Sequence, residues 1–394
     1  MAVKSRRRLR LKWVGVAAAA LGAWIYYTNL SQYLNNYASE IDEPQAIIVP
    51  SPKTITTTNG NAISLNVPFF VYETSLLNWE NYTFLQPNDP DYPVFKHSDD
   101  LWLYRASLRH PQRTRDPSQA KLFFVPFLLN AVAERRTCVQ MNATWNKCFD
   151  RPGAAYRFAD KNLASSAYFR RSRGSDHVVV ASHWLGPPHK LPNLKSCNLI
   201  NFEGRMPLPF PNTSFIPSFY VGRPCVPLDK KWDIPKTHDF AMIGTLKPGN
   251  PDFASRDDIC KWLAQGGYSV SKCGQGDQCP ALAQAKYGFH PRGDTWGSNR
   301  VIDSLLSRTI PLFTDHRQYA LLPQFVPWKE LSYLVNVTTR SAFQDSMNEI
   351  LARPASEYKK KRRLIEDYMH LFNHRQIYQF DAYLAEFAKR LSLQ

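Results

Sequence analysis

The sequence predicts an α/β protein of two Rossmann-like, doubly wound domains facing a cleft, carried behind an N-terminal transmembrane helix. Three observations predict it. Short apolar runs alternate with helical stretches, the pattern of parallel sheets covered on both faces. A Pro-rich, polar interruption at Pro224–Pro235 (PCVPLDKKWDIP) divides that alternation into two halves. An uncharged apolar stretch follows a basic run at the N-terminus. With 44% hydrophobic and 13% aromatic residues among 394, the chain can fill two domain cores and is too apolar for disorder.

Residues 1–12 carry Lys4, Arg6, Arg7, Arg8, Arg10 and Lys12 and are expected to form a cytosolic tail. Trp13–Tyr27 (WVGVAAAALGAWIYY) spans roughly 22 Å as a helix, short of a ~30 Å hydrocarbon core. The expected signal-anchor is therefore counted over residues 13–30, with Lys12 snorkelling. A cleaved signal peptide is the rival reading, but Trp24, Tyr26 and Tyr27 stand where a cleavage site needs small residues. The implied topology is single-pass type II with a lumenal body. Glycosylation sequons at Asn81, Asn142, Asn212 and Asn336 fit a lumenal body, as do seven cysteines that all lie beyond the anchor. The close pairs Cys138/Cys148 and Cys273/Cys279 are the expected disulfides. The odd count leaves one thiol, and Cys260, within a helical pattern, stays open as a buried free cysteine.

The formal charge is +16, of which the tail holds +6, leaving about +10 on the remainder. That excess suits a nucleoside diphosphate, an acidic glycan or a membrane surface. Nucleic acid competes for the same charge, but no zinc-finger or RNA-binding aromatic signature accompanies it. Zinc is not expected, because no second ligand pair stands near a cysteine pair.

Residues 31–65 are polar and read as a stem. The first half, 66–230, offers strands at Val67–Tyr72, Lys121–Leu129 and His177–Ala181, with helices at Asp99–Leu108 and Tyr156–Phe169. The second half, 231–345, runs strand Asp239–Ile243, helix Arg256–Leu263, strand Gly267–Val270 and helix Ala281–Ala285. Strand Tyr287–His290, helix Gly297–Leu306, strand Ile310–Thr314 and strand Tyr333–Val337 complete it. Residues 346–394 are helical, with Phe380, Tyr383, Leu384, Phe387 and Leu391 on one face. Lys359–Arg363 (KKKRR) reads as a solvated helix face or a patch toward an acidic acceptor.

The segment FHPRGDTWGSNRVIDSLL, Phe289–Leu306, carries the chemistry. In a strand–loop–helix unit the loop lies at the carboxyl edge of the sheet, where the helix N-terminus offers free N–H groups. Arg292 and Arg300 add guanidinium forks suited to phosphate. Gly293 and Asp294 fill the loop, Ser298 donates a hydrogen bond or caps the helix, and Asp303 is placed to take ribose hydroxyls. The bland alternatives stay open. Arg300 and Asp303, three apart, also suit a surface ion pair, and Asp294 and Ser298 are ordinary cap residues. No Walker A or Rossmann glycine fingerprint is present.

YGFHPRGDTWGSNRVIDSLLSRTIPLFTDHRQYALLPQFVPWKELSYLV resembles the signature region of the exostosin family, glycosyltransferase family 47. The residues that carry it are Phe289, Pro291, Gly293, Asp294, Ser298, Arg300, Asp303, Ile310, Pro311, Asp315, Leu322, Pro323 and Trp328. Upstream, RTRDPSQAKLFFVPF (Arg113–Phe127), RGSDHVVVASHW (Arg173–Trp184) and VYET at Val71 are similar to other family segments, in the family's order. The resemblance spans residues 66–345. Two departures stand out: Ser307-Arg308-Thr309 replaces the family's Gly-Cys before Ile-Pro, and Trp184 replaces an Asp after His183.

The resemblance implies a GT-B fold, a Golgi membrane location, and inverting transfer of a hexosyl or pentosyl group from a UDP-sugar to a glycan or glycoprotein. The first half would hold the acceptor and the second the nucleotide sugar. Inversion needs a general base, and Glu73 and His183, following the first and third strands, are the candidates; a solvated acid and a core histidine are the bland readings. Asp176 and His177 open the third strand and read as structural. Arg256 matches a family arginine and is expected to add to the diphosphate site, unless it only pairs with Asp257 or Asp258. No cofactor or obligatory metal is expected; Asp89-Pro90-Asp91 sits in a Pro-rich turn. A non-catalytic exostosin-fold subunit that binds carbohydrate or partners an active enzyme is the alternative, favoured by Ser307-Arg308-Thr309. Homo- or hetero-oligomers stay open.

Overall fold

Two parallel sheets organise the protein. The structure, a computed structural model, describes residues 67–77, 97–128, 152–180, 191–202, 214–223, 225, 235–294 and 296–393. The expected tail, anchor and stem, His183, Asn81, Asn142, Asn212, Cys138 and Cys148 lie outside the described residues. Among the described residues no helix is long and apolar enough to cross a membrane.

The first sheet comprises β1 (Phe69–Val71), β2 (Arg113–Thr114), β3 (Leu122–Val125), β4 (His177–Val180), β5 (Asn198–Asn201) and β6 (Phe215–Pro217). Its order is β2-β1-β3-β4-β5-β6, with every pair parallel. Helices α1 (Asp99–Arg109), α2 (Pro152–Ser165) and α3 (Ala167–Ser172) belong to this half. The single helix expected over Tyr156–Phe169 breaks at Ser166, whose backbone is extended. Strands β3 and β4 are buried throughout, which is why they read as continuous apolar runs. Strand β5 escapes that pattern because it begins and ends in asparagine. The Asn198 side chain is satisfied inside the sheet, donating to the Ser175 and His177 carbonyls and accepting from the Ser214 amide.

The second sheet comprises β7 (His238–Ile243), β8 (Val270–Gly274), β9 (Ala285–His290), β10 (Ile310–Phe313) and β11 (Tyr333–Leu334), ordered β11-β10-β9-β7-β8 and parallel throughout. Its helices are α4 (Ala254–Gln265), α5 (Gln278–Gln284), α6 (Asn299–Leu306), α7 (Arg317–Ala320) and α8 (Trp328–Leu331). The strand expected at Gly267–Val270 starts only at Val270, because Gly266 closes α4 and Gly267 turns in the left-handed region at φ 67°.

Three helices follow: α9 (Arg340–Ala352), α10 (Ala355–Phe372) and α11 (Tyr378–Arg390). They do not form a unit of their own. Helix α9 sets Phe343 against Trp262 and Phe289 of the second half. Helix α11 returns to the first sheet, where Phe380 lies 5.1 Å from Phe69 and 5.4 Å from Phe124, ring to ring. Tyr383 Oη accepts from the Phe219 amide at 3.0 Å and donates to the Pro217 carbonyl at 3.2 Å. Phe219 in turn contacts Trp328 and Phe372, so one aromatic cluster joins both halves. In the basic run, Lys361 is not purely solvated: it donates to the Glu330 and Ser332 carbonyls beyond α8.

The expected Cys273/Cys279 pair and a free Cys260 need correction. Among the described residues the disulfides are Cys225–Cys279 and Cys260–Cys273, while Cys197 is free and buried. Proximity in sequence misleads here because Cys273 sits on β8, beside Cys260 of the packed helix α4, with 5.5 Å between their Cα atoms. Cys279 opens α5 and meets the connector at Cys225.

Ser307-Arg308-Thr309 lies at the amino end of β10, the edge of the sheet opposite the Phe289–Leu306 loop. Arg308 occupies a left-handed conformation at φ 53°, a geometry that favours glycine and costs other residues roughly 1–2 kcal/mol. Its side chain pairs with Glu366 at 3.0 Å. Thr309 Oγ1 donates to the Leu282 and Ala285 carbonyls, and Lys236 Nζ donates to Thr309 Oγ1 and to the Leu282 and Ser307 carbonyls. The departure is thus a structural corner away from the loop, satisfied at Arg308 and Thr309 and leaving only the Ser307 hydroxyl buried without a partner, and it gives no support to a non-catalytic reading.

Replacing Tyr383 by Phe leaves the buried Phe219 amide without an acceptor. The expected loss is about 1–3 kcal/mol of stability, read by denaturant unfolding. An unchanged midpoint would remove Tyr383 as a tie between α11 and the first sheet.

Candidate functional site

In the second sheet the chain starts at β7, steps outward to β8, then returns past β7 to β9. The carboxyl ends of β7 and β9 therefore flank a topological reversal, the place where open parallel sheets bind ligands. Gly244 and Thr245 follow β7, and the loop from Pro291 to Ser298 follows β9.

Arg256, reaching from α4, holds these two segments together. Its Nε donates to the Arg292 carbonyl at 3.0 Å and its Nη1 to the Thr245 carbonyl at 3.1 Å. The guanidinium lies 4.7 Å from the Phe253 ring. A Cβ on Gly293 would stand 2.2 Å from Arg256 Nη2, and one on Gly244 3.2 Å from Nη1. Gly293 is therefore more than a turn residue: the buried cation needs the space its missing side chain leaves. Arg256 does not pair with Asp257 or Asp258. Burial, and secondarily Arg300, pull its ionisation down to about 10.

Arg300 stands in the first turn of α6. Burial also lowers its pKa, and its Nε has no partner. Among the described residues neither Arg256 nor Arg300 forms an ion pair. His290, at the end of β9, is 2% exposed and bonded through Nε2 to Ser304 Oγ, with Nδ1 unpartnered. Burial first, then Arg300 and Arg256, push it to about 3, so it stays neutral. Arg292 is paired with Asp252 at 2.8 Å and lies over Trp296. Asp294 is exposed and sits 3.4 Å from Lys247. Ser298 is the N-cap of α6, accepting from the Arg300 amide at 3.3 Å. Two desolvated guanidiniums beside a helix N-terminus form a cradle for an anion.

Asp303 departs from expectation on both readings. It is neither a surface partner of Arg300 nor open to a ribose. Its carboxylate is fully buried, accepting from the Arg223 amide at 2.6 Å and from Asn299 Nδ2 at 3.2 Å. The apolar stripe of α6 carries it inward, and it ties the connector leaving the first half to this helix.

In the first sheet the reversal lies between β1 and β3. Glu73 follows β1 there and is exposed. Its charge reaches Tyr104, whose phenol is raised by burial first and by Glu73 next. Asp176 and His177 are structural: His177 is buried, with Nδ1 2.6 Å from Asp176 and Nε2 2.8 Å from Tyr72 Oη. Sequence reasoning missed Gly244 and Thr245, although a glycine directly after a buried strand is a usable signal of close backbone approach.

Burial raises the Asp303 pKa from 3.8 to about 7. The folded protein then keeps a proton that the unfolded chain releases, so this contribution to stability is full below pH 3.8 and is lost as pH rises through about 7. Asp303→Asn, which mimics the protonated form, is expected to raise the melting temperature near pH 7.5 and change it little near pH 5. Equal effects at both pH values would contradict this.

Residues 88–234 match the family model described as the Exostosin GT47 domain. A probable xyloglucan galactosyltransferase GT17 of Arabidopsis thaliana is 22% identical over 295 residues, covering 66% of this chain and 61% of that protein. The chain thus spans about three-fifths of the length of this curated relative. Among solved structures, Anabaena HepE in complex with UDP-glucose is 11% identical with a TM-score of 0.37, covering 82% of this chain and 99% of that one. The pneumococcal O-GlcNAc transferase GtfA, in complex with UDP and GlcNAc, is 8% identical with a TM-score of 0.33, covering 68% and 56%. Likeness at those scores carries no argument about fold or ligand. Residues 88–234 are thus similar to the Exostosin GT47 domain, and the Arabidopsis relative and the ordered motifs are similar in the same direction.

Proposed function

We propose that this protein is an inverting glycosyltransferase of GT-B architecture that moves a sugar from a UDP-sugar to a glycan or glycoprotein acceptor in the Golgi lumen. The observation that carries the reading is the pair of guanidiniums outside any ion pair, the buried Arg256 and the half-buried Arg300, at the reversal between β7 and β9. Negative charge develops on the diphosphate as the glycosidic bond breaks, and cations already held in a desolvated site stabilise it without reorganising. The N-terminus of α6 adds its dipole. These groups supply what a metal supplies elsewhere, so the reaction is proposed to run without one. The two parallel sheets support GT-B architecture, and the galactosyl transfer in the relative's name makes a galactosyl donor the first to screen.

The acceptor is assigned to the first sheet. Glu73, exposed beside its reversal, is the proposed base that takes the acceptor hydroxyl proton. His183 is the second candidate.

Calorimetric titration of the purified protein with UDP tests the donor site. Binding is expected, with Arg300→Ala weakening it by ~1.5–3 kcal/mol, the scale of a charge-assisted hydrogen bond. No detectable UDP affinity in the wild type sinks the transferase reading. Glu73→Gln should keep UDP affinity while lowering transfer by roughly 100-fold or more; full activity would pass the role of base to another group.

The lumenal topology has its own test. Asn336 is exposed, and its Oδ1 accepts from the Thr338 hydroxyl at 2.7 Å, so the sequon pair is accessible on the folded surface. N-glycosidase treatment is expected to increase electrophoretic mobility, by a smaller step in Asn336→Gln. Unchanged mobility of the wild type counts against a lumenal body.

A further inference from the structure

The loop that closes the cradle has no hydrogen-bonded sheet partner of its own, yet both its ends are held by one side chain from outside it. Gln318, in the short helix α7 after β10, is 2% exposed. Its Nε2 donates to the His290 carbonyl at 2.8 Å and to the Trp296 carbonyl at 2.9 Å. Its Oε1 accepts from the Thr314 amide at 2.9 Å and the Asp315 amide at 3.2 Å, with the Thr314 hydroxyl at 3.4 Å. The amide is fully used: two N–H donors meet two carbonyls, and the oxygen meets two backbone amides.

His290 is where the loop leaves β9, and Trp296 comes two residues before the α6 cap Ser298. Gln318 therefore pins the entrance and exit of the loop to each other and both to the end of β10. Between these points lie the Arg292 carbonyl, which Arg256 engages, and Gly293, which makes room for it. If the entrance and exit drift apart, that carbonyl and the first turn of α6 move relative to Arg256. Trp296 is itself engaged, with Arg292 over its ring at 5.2 Å and Arg317 at 4.2 Å.

We infer that Gln318 is a positioning residue of the nucleotide site, fixing the distance between Arg256, the loop backbone and the α6 N-terminus so that a diphosphate meets all three together. The inference rests on the proposed UDP site for its functional consequence, though not for its geometry. No other common side chain supplies two donors and a doubly accepting oxygen from one planar group except asparagine, which is one methylene shorter.

Two variants and two readouts test it. Gln318→Met keeps the length and removes every hydrogen bond; Gln318→Glu keeps the acceptors for Thr314 and Asp315 but turns an oxygen toward two carbonyl oxygens. Hydrogen exchange of the apoprotein should show faster exchange of the Thr314 and Asp315 amides in Gln318→Met, and of Arg292, Gly293 and Asp294 in both variants. UDP affinity by calorimetry should fall roughly tenfold or more in Gln318→Met, as expected for misplaced groups. In Gln318→Glu the ratio of its affinity to wild type should recover between about pH 8 and about pH 5, because a protonated acid regains one donor. A purely structural role predicts no such recovery. A flat ratio across pH overturns the inference, as does a folded Gln318→Met with wild-type affinity. Should Gln318→Met not fold, Gln318→Glu decides. If the wild type binds no UDP, the proposed function fails separately, and unchanged loop exchange in the variants still overturns the positioning role.

Discussion

The backbone at Gly222 lies so close to helix α6 that a Cβ there would fall 2.4 Å from Ile302 Cγ2 and 2.9 Å from Leu306 Cδ1. Much else depends on this contact. It sets the chain leaving the first sheet directly against the helix whose N-terminus builds the anion cradle. The next residue, Arg223, locks it through its amide on the buried carboxylate of Asp303. Two residues further on, Cys225 is joined to Cys279 at the start of α5. Helix α11 then crosses back, and Tyr383 holds Pro217 and Phe219 only a few residues upstream of Gly222. The described part of the connector thus couples the first sheet to α6, alongside the aromatic cluster around Phe219.

The cradle itself runs against the usual economy of folded proteins. A buried guanidinium is costly unless it is paired, and surface ion pairs were within reach: Arg292 uses Asp252, and Arg317 uses Asp315. Arg256 instead faces the Arg292 and Thr245 carbonyls, Arg300 lowers its ionisation, and both lower that of the neutral His290. Such an arrangement is destabilising by itself and becomes favourable once an anion enters. Asp303, one turn along the same helix, relieves Arg300 only in part: its charge favours the guanidinium, while its carboxyl also accepts from Arg223 and Asn299.

Legibility of the fold followed the side chains' own chemistry. Strands β3, β4, β7, β9 and β10 were visible because parallel strands buried on both faces read as apolar runs. Strand β5 was not, since its ends are asparagines, and the Asn198 amide is satisfied by partners distant in sequence. The disulfides were misread for a related reason: spacing along the chain says nothing about which helix packs on β8. At the site, the arginines and glycine of the loop were legible as a phosphate pattern, and the family resemblance sharpened them. Asp303 was legible as an acid but not as a buried one, because its depth depends on the connector lying against α6. Gln318 was invisible. A lone glutamine in a polar turn carries no pattern, and its value arises only when three segments converge on it.

The two edges of the second sheet make the distinction between structure and function concrete. At the amino edge most of the costly groups are compensated, with Ser307 Oγ buried without a partner. Lys236, pushed down to about 7 by burial first and by Arg362 and Arg308 next, still has three acceptors. Arg308 bears a left-handed backbone but gains an ion pair, and Thr309 bonds two carbonyls. At the carboxyl edge the comparable groups are left uncompensated: Arg300 Nε, Arg292 Nε and His290 Nδ1 are all buried without a partner. The two edges therefore differ in degree: three buried nitrogens lack a partner at the carboxyl edge, against the Ser307 hydroxyl at the amino edge. Sequence change at Ser307-Arg308-Thr309 is therefore absorbed by local bonding. Change at Arg256, Gly293 or Arg300 falls instead on the proposed nucleotide site, where a ligand is proposed to complete the groups the protein leaves open.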